Sequence, residues 1–550
     1  MADITGSEIL AKALKNEGTD ILFFLMGGPM LLAESSCINE GIRPLDVRHE
    51  QSAAFMAQAY SRLLQKPGVC MAASGPGTIN LTTGVANALI DCAPVVAIGG
   101  SSPISQNGRQ VFQEIDQLAI MKPCTKWADR VYNLKRIPEQ VNVAFQKAMS
   151  GKPGPVYLDF PGDILYAKIP EEQVDWSLSG RPLLDARPLG DPNKVDALIN
   201  AIAKARQPII LSGSGVIWSQ ASPELQEFVE KTGVPFYTTP QGRGVLPDDH
   251  DYSYLSMRSS AFRDADLIIV VGTRMNYIIG HAAPPRFNAG AKFARIDIDA
   301  DEIASSPRRI DIGIVGDCKR VLRQLIDASG KRINADRFAA WRRTLSDGEA
   351  AKRQAPGANK PMDEVPIHPL RLCDEIKNFM RRDAILVVDG QEILNYGRQS
   401  MPTFTPGHRL NSGPFGTMGV GLPFGIGAKI AKPDKQVIVV HGDGSFGLNA
   451  LELDTAVRHN TPILVVVSLN GGWTADPDGN KPGRNLGYTR FDKMAESLGC
   501  YGEYVEQPNQ IRPALDRAQR EVDRGSVALV NVKTDHRARA GTAAFAQYST

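Results

Sequence analysis

Two residues stand out for what their types and spacing could do chemically: Asp443 and Asn470, 27 residues apart. An apolar run over 436–441 leads into Gly442-Asp443-Gly444-Ser445-Phe446, and a second over 463–469 leads into Asn470-Gly471-Gly472. Between them lie a helical pattern over 448–459 and a Thr461-Pro462 turn. This is one strand–helix–strand unit. Its right-handed crossover makes the strands parallel and brings both carboxyl ends to one edge of a sheet, the edge beyond which open α/β sheets bind ligands. A carboxylate and an amide oxygen are the hard donors that Mg²⁺ prefers, and Mg²⁺ usually completes its shell with water and phosphate oxygens. The glycines beside Asp443 let backbone N–H groups approach a phosphate. Gly-Asp-Gly alone is more often a strand-end turn; the matched Asn470 in its frame favours a metal–phosphate site.

A second carboxylate has a similar placement. The run 45–48 leads into His49-Glu50-Gln51-Ser52, which puts Glu50 at a strand's carboxyl end and a helix's start. By itself such an acid is a helix N-terminal residue stabilised by the dipole.

The elements that must position these residues form three blocks. Short β-branched runs alternate with helical patterns, which predicts α/β units with parallel sheets. In the first block strands are expected at 45–48, 69–73, 95–99 and 156–160, and in the second at 208–212, 267–271 and 293–298. The third has strands at 385–388, 436–441 and 463–469. Linkers rich in Pro and Gly fall at 181–192 and 355–361. The expected domains are 1–165, 190–345 and 366–534, with 535–550 as a mobile C-terminal segment. The second block lacks the Gly-x-Gly-x-x-Gly turn, so it gives no support to nicotinamide dinucleotide binding. No sequence repeat relates the blocks.

Composition sets the class. At 550 residues the chain is too long for one core, and roughly three or four domains are expected. Hydrophobic residues are 43% and charged residues 22%, an ordinary globular balance. With 62 basic and 60 acidic residues, the charge gives no reason to expect nucleic acid. Seven scattered cysteines without a Cys-x-x-Cys pair suit a reducing compartment. No basic-then-apolar leader or membrane-length run stands out. A cytoplasmic enzyme without a membrane segment is expected.

The Asp443–Asn470 pattern resembles the metal–diphosphate motif of thiamine diphosphate enzymes, although Leu469 stands where the family usually has a first Asn. The resemblance implies Mg²⁺ held by Asp443, Asn470 and the Gly472 carbonyl, and a diphosphate near Gly444, Ser445 and Gln391. It makes Glu50 the carboxyl group that activates the cofactor's pyrimidine ring. In Gly413-Pro414-Phe415-Gly416-Thr417-Met418, it makes Met418 the apolar wedge that bends the cofactor. The three blocks become the pyrimidine, central and diphosphate domains. The family's sites form between chains, which implies a homo-oligomer, at least a dimer and usually a tetramer.

Within the family, Gly272-Thr273-Arg274-Met275-Asn276-Tyr277, Pro284-Pro285-Arg286-Phe287 and Arg409-Leu410-Asn411-Ser412 look like the 2-hydroxyacyl-CoA lyase and oxalyl-CoA decarboxylase branch. The resemblance implies an ADP site at Arg274, Asp297 and Asp317, and CoA contacts at Arg258 and Arg398. Asp297 and Asp317 read equally well as strand-end turn residues, and the two arginines as ordinary surface residues. Phe112-Gln113 stands where the decarboxylases carry Tyr-Glu, which argues against decarboxylation; Gln113 is expected to donate to a developing oxyanion. The tail, with Arg537, Arg539, Phe545 and Tyr548, resembles a lid over CoA. Trp473 and the residues after it match lyases of short branched 2-hydroxyacyl-CoAs best. The implied reaction is cleavage of a 2-hydroxyacyl-CoA to formyl-CoA and an aldehyde or ketone. The alternatives are an oxalyl-CoA decarboxylase, an acetohydroxyacid synthase-like carboligase, or a nucleotide-binding regulatory protein.

Overall fold

Long runs of Val, Ile and Leu form strands here because both faces of each sheet are covered by helices. Such strands read as continuous apolar stretches, not alternating ones. Ile385–Asp389 and Leu464–Leu469 are buried at every position. The computed structural model describes residues 3–184, 186–330, 332–354, 362–476, 478 and 480–540. In it the strands build three parallel sheets, one per expected block.

The first sheet runs, in spatial order, Arg43–Asp46, Ile21–Leu25, Gly68–Ala72, Val95–Ser101, Val156–Pro161 and Trp127–Arg130. The central sheet runs Phe236–Thr238, Pro208–Ser212, Leu267–Val271, Lys292–Asp297 and Ile312–Val315. The third runs Arg409–Leu410, Ile385–Asp389, Val437–Gly442, Leu464–Leu469, Ala528–Lys533 and Tyr501–Val505. An antiparallel ribbon of Asp3–Thr5 with Lys168–Pro170 carries the first unit slightly past 165. Helix Ala339–Gln354 packs Trp341 and Leu345 into the central core, so that unit reaches beyond 345.

The first and third units share one apolar core. Helix Glu50–Leu64 is buried along nearly its whole length between helices Pro76–Ile90 and Gly421–Ala431. Its alanines permit close approach, and Phe55 meets Phe424 edge to face at 6.0 Å. At Gly427 a Cβ would sit 2.5 Å from the Met56 carbonyl oxygen, so only glycine lets these helices touch. No helix among the described residues is long and apolar enough to cross a membrane.

Three expectations shift. The strand expected at 45–48 is Arg43–Asp46, because the Arg48 and His49 N–H groups bond to the Glu452 carboxylate and not to a neighbouring strand. The single helix expected over 448–459 is two, Asp443–Leu448 and Glu452–Arg458. They part where Asn449 turns its amide to the Gly419 carbonyl. Asp443 therefore opens a helix and is not part of a loop. In the tail, 535–540 lie against the third unit: the Asp535 N–H donates to the Ile367 carbonyl at 2.8 Å and the Ala540 N–H to Glu392 at 2.8 Å. Phe545 and Tyr548 lie outside the described residues.

Candidate active site

At the carboxyl edge of the third sheet, Asp443, Gly444, Ser445, Asn470, Gly472 and Gln391 line one small pocket, closed on one side by Trp473. The adjacent strands Val437–Gly442 and Leu464–Leu469 deliver the first five, and Gln391 follows Ile385–Asp389. The Asp443 carboxylate is 3% exposed. It accepts from the N–H groups of Gly444 at 2.8 Å and Gly471 at 2.7 Å. Burial pushes its pKa up to about 6, and these N–H bonds pull the other way. Asn470 Oδ1 accepts the Gly472 N–H at 3.3 Å. Gly472 has φ +152°, and a Cβ there would run into the Arg484 carbonyl oxygen, so no other residue fits. A Cβ on Gly444 would lie 2.8 Å from the Trp473 indole. Gln391 accepts from the Thr474 hydroxyl at 3.3 Å.

Behind this pocket Ser445 Oγ donates to the Gly442 carbonyl at 3.0 Å and lies 3.1 Å from His441 Nδ1. Burial pushes His441 down to about 3, so the ring is neutral. Its neighbour Asp389 is pushed up to about 6, again by burial. The donor set at the pocket is all oxygen: one carboxylate, one amide and the carbonyl of a residue that must be glycine. It fits a divalent cation carrying a diphosphate.

Glu50 lies at the matching edge of the first sheet, as the first residue of helix Glu50–Leu64. It is 8% exposed, and its Oε2 accepts from Asn80 Nδ2 at 2.9 Å. It does not line the Asp443 pocket. Gln113 stands on the same edge at φ +60°, its Oε1 taking the Ser74 hydroxyl at 2.7 Å. Ser74 Oγ also lies 3.2 Å from the Gly28 carbonyl. Met418 is half-buried on the segment that follows Arg409–Leu410. One chain thus brings the metal-type residues together and holds Glu50, Gln113 and Met418 outside their pocket.

Arg274, Asp297 and Asp317 do converge. They line a cleft of about 310 Å³ between the central unit and its neighbours, and Arg398 lines it too. Arg274 donates to the Ile90 carbonyl. Asp297 lies 3.3 Å from Arg295. Asp317 caps helix Cys318–Ser329 by accepting from the Lys319 and Arg320 N–H groups, and it takes the Ser219 hydroxyl at 2.8 Å. Both aspartates therefore have structural partners as well as a place on the cleft wall.

Arg258 does not line the cleft, but it shares a buried basic cluster with Arg398. Burial, with Arg286, Arg243 and Arg398 nearby, lowers its pKa to about 10. Arg409, wholly buried, falls to about 9 for the same reasons. Among the described residues, Nε and Nη2 of Arg258, Nε of Arg398, and Nε and Nη2 of Arg409 are shut from solvent without a hydrogen-bond partner. Among the described residues of the cluster, Arg243 pairs with Asp248, whose charge also reaches Arg409. The sequence pointed to Arg258 and Arg398 singly. It missed the cluster, because arginines spaced over 160 residues carry no local signal. It also missed Glu452 and Glu34; Glu34 alone had one, an acid on the stripe Met30, Ala33, Glu34, Cys37.

Three family models cover the chain: the N-terminal thiamine pyrophosphate-binding domain at 4–120, the central domain of these enzymes at 195–325, and their C-terminal binding domain at 394–532. The 2-hydroxyacyl-CoA lyase of Arabidopsis thaliana is 32% identical over 543 residues, with 93% of each chain covered. A probable acetolactate synthase of Mycobacterium bovis is 33% identical over 542 residues, covering 96% of this chain and 95% of its own. The oxalyl-CoA decarboxylase of Escherichia coli is 31% identical over 525 residues, covering 93% and 92%. Three parallel α/β units, an oxygen-donor pocket on the third and full-length relatives of this kind agree: the chain belongs to the thiamine pyrophosphate enzymes, in the group that includes 2-hydroxyacyl-CoA lyases, oxalyl-CoA decarboxylases and acetolactate synthases.

Proposed function

We propose that this enzyme is a 2-hydroxyacyl-CoA lyase, which cleaves its substrate to formyl-CoA and an aldehyde or ketone. The observation that carries this reading is the arginine cluster. Buried guanidinium groups with unmet donors and a single close acid are costly unless an anion completes them. CoA brings a diphosphate and a 3′-phosphate, whereas a pyruvate-type substrate brings no phosphate at all. Arg258 and Arg398 are the contacts assigned to CoA, with Arg409 behind them. The Phe112-Gln113 pair, lacking the Tyr-Glu carboxylate, favours the lyase over the decarboxylase.

Asp443, Asn470 and the Gly472 carbonyl would hold Mg²⁺, and Gly444, Ser445 and Gln391 the diphosphate. Thiamine diphosphate supplies an electron sink for the carbon–carbon cleavage. Glu50 would hold a proton at the pyrimidine ring nitrogen, Met418 would shape the cofactor's bend, and Gln113 Nε2 would donate to the oxyanion. Glu50 stands apart from the metal pocket of its own chain. Met26, Phe112, Phe415 and Leu448 are large apolar residues left exposed. Both support a site assembled between two chains in a dimer or tetramer. The cleft at Arg274, Asp297 and Asp317 suits a nucleotide such as ADP, with Arg274 toward phosphate and the acids toward ribose or base.

Mass-spectrometric product analysis over a panel of 2-hydroxyacyl-CoAs tests the reading. Formyl-CoA together with the matching aldehyde or ketone is expected. Formyl-CoA and CO₂ from oxalyl-CoA alone, or acetolactate from pyruvate alone, would replace it.

A further inference from the structure

The stretch after Asp443 reaches back to the turn that delivers Glu50. Glu452 opens helix Glu452–Arg458 and is 1% exposed. Its Oε1 accepts the backbone N–H of Arg48 at 3.1 Å and of His49 at 3.2 Å. Its Oε2 accepts the Thr455 hydroxyl at 2.6 Å. Burial raises its pKa, and these bonds oppose the rise. The two N–H groups lie past the end of Arg43–Asp46, an edge strand, where no strand neighbour can take them. These bonds are part-buried, and a donor covered by the Glu452 helix without an acceptor would be costly. The carboxylate therefore does what a strand neighbour would do, at the two residues just before Glu50.

Neighbouring contacts fix the same turn from the same side. Arg48 Nε donates to Asp454 at 2.7 Å. Arg458 bridges Asp454 and Asp46. Gln51 Nε2 donates to Asn449 Oδ1 at 3.0 Å, and Asn449 Nδ2 donates to the Gly419 carbonyl at 2.8 Å, next to Met418. The Arg48 and Gln51 contacts are to side chains, Arg458 also donates to the Asp46 carbonyl at 3.1 Å, and the ion pairs are largely exposed and worth little. Glu452 is 1% exposed and is the carboxylate that takes the two backbone N–H groups just before the strand-to-helix corner.

We propose that Glu452 is a positioning residue for Glu50: by holding the Arg48 and His49 N–H groups it fixes the corner from which the Glu50 carboxyl is aimed. This rests on the reading of Glu50 given above. A carboxyl that must meet one ring nitrogen is sensitive to displacement, since a shift of about 1 Å can cost on the order of 10²-fold.

The test is hydrogen–deuterium exchange at the cofactor's C2 position in the reconstituted holoenzyme without substrate, followed by acid quench and proton NMR, for wild type, Glu50→Gln, Glu452→Asp, Glu452→Gln and the double variant Glu50→Gln/Glu452→Asp. Glu452→Asp withdraws the carboxylate by one methylene and should slow exchange on the order of 10²-fold, with cofactor affinity within about threefold of wild type. Glu452→Gln keeps an acceptor oxygen for the two N–H groups and should exchange within about fivefold of wild type. The double variant should be no slower than Glu50→Gln. Slow exchange in Glu50→Gln with wild-type exchange in Glu452→Asp overturns the role of Glu452 alone, as does a melting-temperature loss without slower exchange. A Glu452→Gln variant as slow as Glu50→Gln overturns the backbone-acceptor account. Wild-type exchange in Glu50→Gln overturns the reading of Glu50, and the proposal with it.

Discussion

The first and third sheets order their six strands identically: taken in sequence, the second strand lies at one edge, followed in space by the first, third, fourth, sixth and fifth. Corresponding strand ends carry different chemistry. After the third strand stands Ser74-Gly75 in one sheet and Asp443-Gly444 in the other. After the fourth, a loop bears Gln113 in one and Asn470 in the other. After the second, one sheet offers Glu50 and the other the segment ending in Met418. The fold thus supplies two equivalent sheet edges, and under the proposed function their different residues would make one the proton-handling edge and the other the metal–diphosphate edge. Neither edge holds every residue that the proposed function assigns, which is why that proposal joins two edges in one site.

The sharpest way to break the comparison is to neutralise the proton-handling edge. Glu50→Gln should lose about 10²–10⁴-fold in kcat, the usual contribution of an acid–base group. It should keep stoichiometric thiamine diphosphate, which kcat and cofactor content after gel filtration will check. Turnover near wild type would mean the first edge handles no proton. Asp443→Ala should do the reverse: cofactor should dialyse away even in excess Mg²⁺, because the carboxylate is the one charged group of the donor set. Retention of bound cofactor after dialysis would take Asp443 out of the metal role.

A smaller effect is expected away from both edges. Arg258→Ala should raise the KM for acyl-CoA roughly 10- to 100-fold, the worth of a charge-assisted hydrogen bond, and leave cofactor affinity unchanged. An unaltered KM would leave the arginine cluster without its anion.

The smallest is a pH effect on stability. Glu34 is buried on the apolar face of helix Leu31–Asn39, its Oε1 without a partner among the described residues, and burial pushes its pKa from 4.5 up to about 7. Below pH 4.5 the group is protonated folded or unfolded and costs nothing. Between 4.5 and 7 the unfolded chain ionises first, so stability falls as pH rises, and above 7 the full loss persists. Glu34→Gln should remove this slope and melt about 2 °C or more above wild type at pH 8. Equal melting temperatures at pH 8 would show that Glu34 is not a burdened carboxyl.

The sequence by itself determined the three α/β units, the metal-type pair and the placing of Glu50 at a strand end. These depend on apolar runs and on spacings inside one strand–helix–strand unit, where the chain geometry leaves little choice. The expected strands fall within a residue or two of their bounds: Pro208–Ser212 and Leu267–Val271 match, and Val437–Gly442 moves by one, while Ile21–Leu25 and Ala528–Lys533 are among those without an expectation. Only the tertiary structure decided the shared strand order, since parallel pairing leaves no repeat in the residues. It also decided the break at Asn449 and the early end of Arg43–Asp46. The break is set by Asn449's bonds to Gly419 and to Gln51, and the strand end by Glu452, some 400 residues on in sequence. The arginine cluster has the same origin. Arg243, Arg258, Arg286, Arg398 and Arg409 are unremarkable along the chain, and only packing brings them together, Arg409 fully buried and the others partly so. Local residue order fixes what lies within one crossover, whereas burial and charge accumulate from segments the fold alone brings together.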